Sequence, residues 1–294
     1  MVPSEPGSPG DGPSPRSLWA RFEAVHAVTY FAAECRDRLG ATGLRGFWMG
    51  YFAARASPLG AVGPSVVSAT FFNFHPSMVR RAIPDAWDFA SPATVLRARR
   101  EGAATALRRV LPSVDEEAAS LLPLIGRVVD AADGSGRVLF GANRDLEPGA
   151  DPVEELWQAC TSLREHRGDG HVAGLVANGL DGCEALVTIA AAEDIPADLF
   201  RANRGWSLDE WESARLRLER RALLDGDRLS PSGIALRQTV ERTTDRLAAA
   251  PFTALSGGDY LALADGLERV ARAVTDRGVI PFPNPIGLPA PGSE

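Results

Sequence analysis

The stretch Ser207-Leu-Asp-Glu-Trp-Glu-Ser-Ala-Arg-Leu-Arg-Leu-Glu-Arg-Arg-Ala-Leu-Leu-Asp-Gly226, continued by Asp227-Arg-Leu-Ser-Pro-Ser-Gly-Ile-Ala-Leu-Arg237, is the most diagnostic run in the chain. Ser207 and Glu210 stand at the spacing of a capping box, in which the hydroxyl accepts from the third amide of a helix and the glutamate reaches back to the serine amide. A leucine-rich helix follows. About Gly226 to Arg228 there is room for a short hairpin, and Ser230 with Pro231 at a first helical position opens another helix. Helix, hairpin and helix are therefore expected within residues 193–250.

Working outward, the remaining periodicity is helical. Ser17 can cap a helix reaching about Leu39, with Leu18, Phe22, Val25, His26, Thr29 and Ala33 recurring at three-to-four spacing. A second helix is expected from Gly43 to Ala56 with an aromatic stripe of Phe47, Tyr51 and Phe52. Shorter ones follow over Ser65 to Phe72 and from Pro76 to Ile83, where Pro84 stops the run. Longer helices should cover about 92–110, 115–131, 153–166, 171–192 and 258–277. The expected fold is mainly α, a multi-helix body over 16–192 that holds the ligand, followed by the degenerate helix–hairpin–helix domain and a C-terminal helix within 251–279. Residues 1–15, dominated by Pro, Gly and Ser, read as a disordered tail. The end from Ile280 alternates prolines with Phe282, Ile286 and Leu288, and reads as a proline-rich strap over 280–294 that packs on the body.

The Ser207–Arg237 pattern resembles the winged-helix domains of the MarR family of regulators: a helix ending in a leucine-rich turn, a short wing, and a Ser-Pro helix start. More widely, Val25-His-Ala-Val-Thr-Tyr-Phe31, Gly43-Leu-Arg-Gly-Phe-Trp-Met-Gly-Tyr-Phe52, Leu163-Arg-Glu-His-Arg-Gly-Asp-Gly-His171 and Ile280-Pro-Phe-Pro-Asn-Pro285 resemble a family of actinobacterial helix-turn-helix proteins. That likeness spans nearly all of the chain beyond its first residues and carries no reaction with it. The resemblance implies a DNA-binding fold, and charge argues against its use on DNA. The wing is short, Asp209, Glu210 and Glu212 sit where phosphates would lie, and the arginines at 215, 217, 220 and 221 come late in the helix. The net charge of −7 also disfavours a sequence-independent grip on nucleic acid.

Composition excludes several classes. All 31 basic residues are arginine, so a lysine Schiff base, pyridoxal phosphate and a P-loop lysine are out. No Gly-x-Gly-x-x-Gly follows a strand-like run, and no Gly-x-Ser-x-Gly elbow is present. Cys35, Cys160 and Cys183 form neither a disulfide framework nor a zinc pattern. The N-terminus lacks a secretory pattern and no apolar run approaches about twenty residues, so a cytoplasmic protein without membrane contact is expected.

The candidate chemistry centres on four histidines, since imidazole is the side chain that most readily acts as ligand or acid/base near neutral pH. Gly168 and Gly170 suggest a helix break that brings His166 and His171 to one cavity with Glu165 or Asp169 as catalytic partners. The same residues also suit a purely structural corner. His26, Tyr30, Trp48, Tyr51, Asn73 and His75 are expected as ligand-binding wall, with Arg164 and Arg167 holding an anionic group of the ligand. Convergence of the imidazoles would admit a metal or haem. Three functions compete: an enzyme working through His166, His171 and Asp169 with the winged helix as scaffold, a ligand-responsive winged-helix regulator, or a purely structural or partner-binding protein. A homodimer is expected in each case.

Overall fold

The computed structural model describes residues 13–193 and 195–290 of the 294. Fifteen α-helices and one two-stranded hairpin make up the regular structure of these residues, apart from two short 3₁₀ turns, so the chain is mainly α. The expected disordered tail lies almost wholly outside the described residues. Ser14, not Ser17, caps α1 (Pro15–Phe31), accepting from the Ser17 amide at 3.1 Å.

The single helix expected to reach Leu39 is broken at Ala32, whose extended backbone (φ −71°, ψ 139°) redirects the chain into α2 (Ala33–Ala41). This turn lays α2 along a helix distant in sequence. The aromatic stripe then forms α3 (Gly46–Ala56), followed by the short helices α4 (Pro64–Phe71), α5 (Pro76–Arg80) and α6 (Ala86–Phe89). Two long helices, α7 (Pro92–Val110) and α8 (Val114–Ala131), precede the seven-residue α9 (Val138–Arg144), which the periodicity does not predict. α2 packs on α7, and α8 on the next and longest helix, α10 (Pro152–Ala177).

α10 corrects the expected break at Gly168 and Gly170. It runs continuously through both glycines, and the interruption falls at residues 178–181. Gly170 serves close approach and not a turn: a Cβ there would lie 2.6 Å from Arg137 Nη1, and that guanidinium donates to the His166 carbonyl. Asp169 likewise caps a different helix, accepting from the Phe140 amide of α9 at 2.9 Å.

The C-terminal part follows the expected order. After α11 (Gly182–Glu193) and α12 (Ala197–Arg204) comes α13 (Leu208–Arg220), opened by a capping box in which Ser207 Oγ accepts from the Glu210 amide at 3.2 Å and Glu210 Oε2 accepts from the Ser207 amide at 2.9 Å. Strands β1 (Leu224–Asp225) and β2 (Arg228–Leu229) pair antiparallel, Leu224 opposite Leu229. Ser230 then caps α14 (Pro231–Ala249), and α15 (Gly257–Asp276) closes the helical series.

Three apolar clusters hold these elements. One joins α1, α7, α8, α10 and α15, and includes Phe22, Leu107, Trp157, Leu267 and Ile280. A second, rich in Phe52, Phe71, Phe74 and Ile83, lies under α3–α7. The third gathers Leu175, Phe200, Trp211, Leu218 and Val240 beneath the helix–hairpin–helix. The proline-rich end is a packed strap as far as it is described: Ile280 and Leu288 are buried, and buried Asn284 bonds both the amide (3.0 Å) and the carbonyl (2.9 Å) of Leu288. Among the described residues no single helix is long and apolar enough to cross a membrane.

Candidate functional site

A cavity of about 260 Å³ opens among α1, α2, α3, α7 and α10. Three four-residue stripes build its wall: His26 and Tyr30 on α1, Phe47, Tyr51 and Arg55 on α3, and Trp157, Thr161 and Glu165 on α10. Side chains four apart share a helix face, so each stripe turns an aromatic ring and a polar group to one space. Arg99 of α7 completes the buried floor, and exposed Arg36 and Phe47 stand among the rim residues.

The hydrogen bonds fix the state of His26. The Thr161 hydroxyl donates to the Trp157 carbonyl at 2.9 Å, so its oxygen accepts from His26 Nδ1–H, also at 2.9 Å. Nε2 is then the acceptor for the Tyr30 hydroxyl at 2.9 Å. Burial, reinforced by the Arg164 charge, drives the His26 pKa well below its ordinary value. The imidazole is neutral and both its nitrogens are committed to protein partners.

Beside it lies a buried ionic network. Glu165 receives Arg55 through two bonds (2.9 and 3.0 Å) and Arg164 through a third (2.8 Å). Burial opposes ionisation of this carboxyl, but Arg164 and Arg55 outweigh it and hold the group well below the usual carboxylate range. Arg164 also faces buried Glu23 at 3.5 Å. Arg99 is different. The residue is 3% exposed, and its guanidinium donates to the Ala54 carbonyl, Asn143 Oδ1 and Gln158 Oε1, all at 2.9 Å. These acceptors are neutral, and no carboxylate among the described residues pairs with it. Burial, with help from Arg100, lowers its pKa to about 9, which leaves it charged at neutral pH.

Of the residues singled out in the sequence, His26, Tyr30, Tyr51 and Glu165 meet at this cavity, and Arg164 stands behind it on Glu165. Trp48 packs among Tyr51, Phe52 and Phe74, outside the cavity lining. The others are elsewhere. His166 packs edge-on against Phe140, 4.9 Å between ring centres, and burial with Arg137 lowers its pKa to about 4. His171 bonds Thr244 of α14 at 3.0 Å, and burial lowers its pKa to about 4 against the pull of Glu241. Arg167 pairs with Asp245 at 2.8 Å and lies over the Trp19 ring. The four imidazoles therefore share no common space, because continuous α10 sends positions 166 and 171 to different neighbours. No group of three or more His, Cys, Asp or Glu side chains among the described residues is arranged to hold a metal ion. Sequence reasoning passed over Arg55, Arg99, Trp157 and Thr161. The four-residue recurrence of 157, 161 and 165 was the available signal, whereas Arg99 is masked by its neighbours Arg97 and Arg100.

Asn73 and His75 lie at a second site, where the loop between α4 and α5 meets the turn between α12 and α13. Trp206 Nε1 donates to the Asn73 carbonyl (2.9 Å), the His75 amide donates to the Arg204 carbonyl (2.8 Å), and His75 Nε2 meets Glu210 Oε1 at 2.9 Å. On its other side the same loop places Phe74 5.4 Å from the ring of Tyr51, a cavity residue. Arg204, buried, lies over the Phe74 ring. A continuous packed path thus joins the cavity to the α12–α13 turn.

The outward face of α13 carries Asp209, Glu212, Ser213, Leu216 and Arg220. Arg217 is bound to Asp181 (2.6 Å) and Glu184 (2.8 Å), and Arg215 to Glu219 and Asp227 at 3.2 Å. Arg220 and, on β2, Arg228 are exposed and make no ion pair among the described residues.

A helix-turn-helix family profile matches residues 15–281. No curated protein and no solved structure matches the chain.

Proposed function

We propose that this chain, which belongs to the helix-turn-helix family, is a cytoplasmic transcriptional regulator that senses a small organic molecule in the α1–α3–α7–α10 cavity and contacts DNA through α13 and the β1–β2 wing. The family replaces the enzyme reading as the better starting point, and with it DNA returns as a partner that the short wing, the acidic start of α13 and the net charge had set aside. Chemistry centred on His166, His171 and Asp169 lacks a shared site to act in.

One observation carries the proposal. The loop between Phe71 and Pro76 has one side against the aromatic cluster bordering the cavity and the other against the turn that sets the angle of α13. A ligand acts on a distant surface only through a differential contact with two arrangements of such an element. Displacement of Tyr51 by an occupant is transmitted to Phe74, and from there to Trp206 and Glu210.

The exposed α13 and wing offer Arg220 and Arg228 to phosphates, few contacts for one protomer, so the proposal includes a homodimer that doubles them. The test is a mobility shift with the full chain and the DNA immediately upstream of its own coding sequence, at moderate salt with excess nonspecific competitor. A discrete complex that survives the competitor supports the reading. No complex at micromolar protein overturns it.

A further inference from the structure

We infer that the cavity takes a planar aromatic monocarboxylate, its carboxylate compensating Arg99; this rests on reading the cavity as a ligand site. Three arginines, Arg36, Arg55 and Arg99, line the cavity against one carboxylate, Glu165. That carboxylate is already committed, since Arg55 and Arg164 occupy its two oxygens with three bonds. Arg164 in turn has Glu23 as its second anion. Arg36 is exposed, and its charge is screened by water. One buried cation is left over, and it is Arg99.

A buried charge without a counter-ion is among the costliest arrangements in a protein interior. Arg99 is not the by-product of a basic surface, because the chain as a whole carries −7. Of the five N–H bonds of its guanidinium, three donate to Ala54, Asn143 and Gln158, which leaves one on Nη1 and the one on Nε. Nε is buried without an acceptor among the described residues. Asn143 and Gln158 are themselves tied together, Gln158 Nε2 donating to Asn143 Oδ1 at 3.2 Å, so the guanidinium is held in place from behind before any occupant arrives. Such preorganisation is what a site for an anion requires.

The rest of the lining selects the body of the ligand. Tyr30, Tyr51 and Trp157 supply aromatic wall, and the Tyr51 hydroxyl has no hydrogen-bond partner among the described residues, which makes it a second donor to a carboxylate. His26 has no proton to spare, both nitrogens being engaged. A single surplus buried charge specifies a monoanion, and Glu165 repels a second negative charge.

The test measures binding of two matched pairs to the full chain by calorimetry: indole-3-acetate against indole-3-acetamide, and phenylacetate against phenylacetamide. The acids are expected to bind at least about tenfold more tightly than the amides, as befits a charge-assisted pair. Arg99→Met should bring that ratio close to one. Arg36→Gln, at an exposed position, should weaken the acids about twofold at low salt and not at high salt. Should Arg99→Met fail to fold, the wild-type ratio and Arg36→Gln decide. Amides binding as tightly as acids, an acid preference that survives in folded Arg99→Met, or no binding by either pair overturns the assignment. Equal binding of acid and amide leaves the cavity a ligand site, and the mobility shift judges the regulator reading separately.

Discussion

Glu165 is the residue on which the cavity's ionic order depends, since it accepts from both Arg55 and Arg164 while only 1% exposed. Glu165→Gln leaves those two guanidinium groups with Glu23 as their remaining buried anion, and breaking such a pair costs about 3–5 kcal/mol. Urea unfolding should show a loss of that order. A loss under about 1 kcal/mol means that water or neutral groups already satisfy the arginines. The histidines make a second residue-scale prediction. His166 and His171 have pKa values lowered to about 4 from an ordinary 6.5, and His26 is lowered as well. Such groups contribute stability in full above pH 6.5, and that contribution is lost as pH falls toward 4. Asp169, raised by burial to about 6 from 3.8, acts in the opposite sense: its contribution is full below 3.8 and is lost as pH rises through 6. Glu154 and Asp245, also raised by burial, act with Asp169 but by smaller shifts, and the three imidazoles outweigh them, so the melting temperature should fall from pH 7 to pH 5, and His171→Gln should flatten the decline. An unchanged slope in that variant contradicts the assignment of His171 as a neutral buried ring. These residues were legible in the sequence as unusual histidines. Their roles were not, because each role depends on a partner more than a hundred or some seventy positions away, Thr161 for His26 and Thr244 for His171.

Among the elements, α10 decides most. Its glycines mimic a turn signal, yet both lie within a continuous helix, Gly170 with the Arg137 side chain against it. Sequence periodicity fixes a helix's face but not the approach of a distant arginine, so the break was expected in the wrong place. By contrast the capping box at Ser207, the hairpin near Gly226 and the Ser230-Pro231 start are local devices, and all three stand where the sequence puts them. The contact between α11 and the loop before α5 is tighter than the one at Gly170, because it faces backbone and not the end of a flexible side chain. A Cβ on Gly182 would lie 2.3 Å from the Phe72 carbonyl oxygen, a backbone atom that cannot swing aside. Gly182→Ala should therefore destabilise the protein by about 1–3 kcal/mol, the usual cost of overpacking, and shift the loop that bears on Trp206. Chemical denaturation gives the first quantity. A neutral substitution shows that α11 and the loop are less closely seated than described.

At the scale of the whole molecule, an acidic protein of the helix-turn-helix family must confine its positive charge to small areas. On α13 and the turn after it Arg215, Arg217 and Arg221 are bound by carboxylates, which leaves Arg220 and Arg228 facing outward from α13 and the wing. If these two make the phosphate contacts, log affinity for DNA should fall with log salt at a slope of about −2 per protomer, from roughly −0.9 per neutralised phosphate. A slope of −5 or steeper per protomer means that some other surface binds. The mainly α architecture was legible because it rests on periodicity summed over many helices. The cavity was legible only in part, since it assembles from four-residue stripes on separate helices whose mutual approach no single stripe records. What unites the cavity and the α12–α13 turn is the loop from Phe71 to Pro76, and amide hydrogen exchange tests that union directly. Exchange of the full chain is compared with and without saturating indole-3-acetate. Altered protection is predicted around Tyr51, again across residues 71–78, and again across 201–210; changes that stop at the helices lining the cavity contradict the coupling.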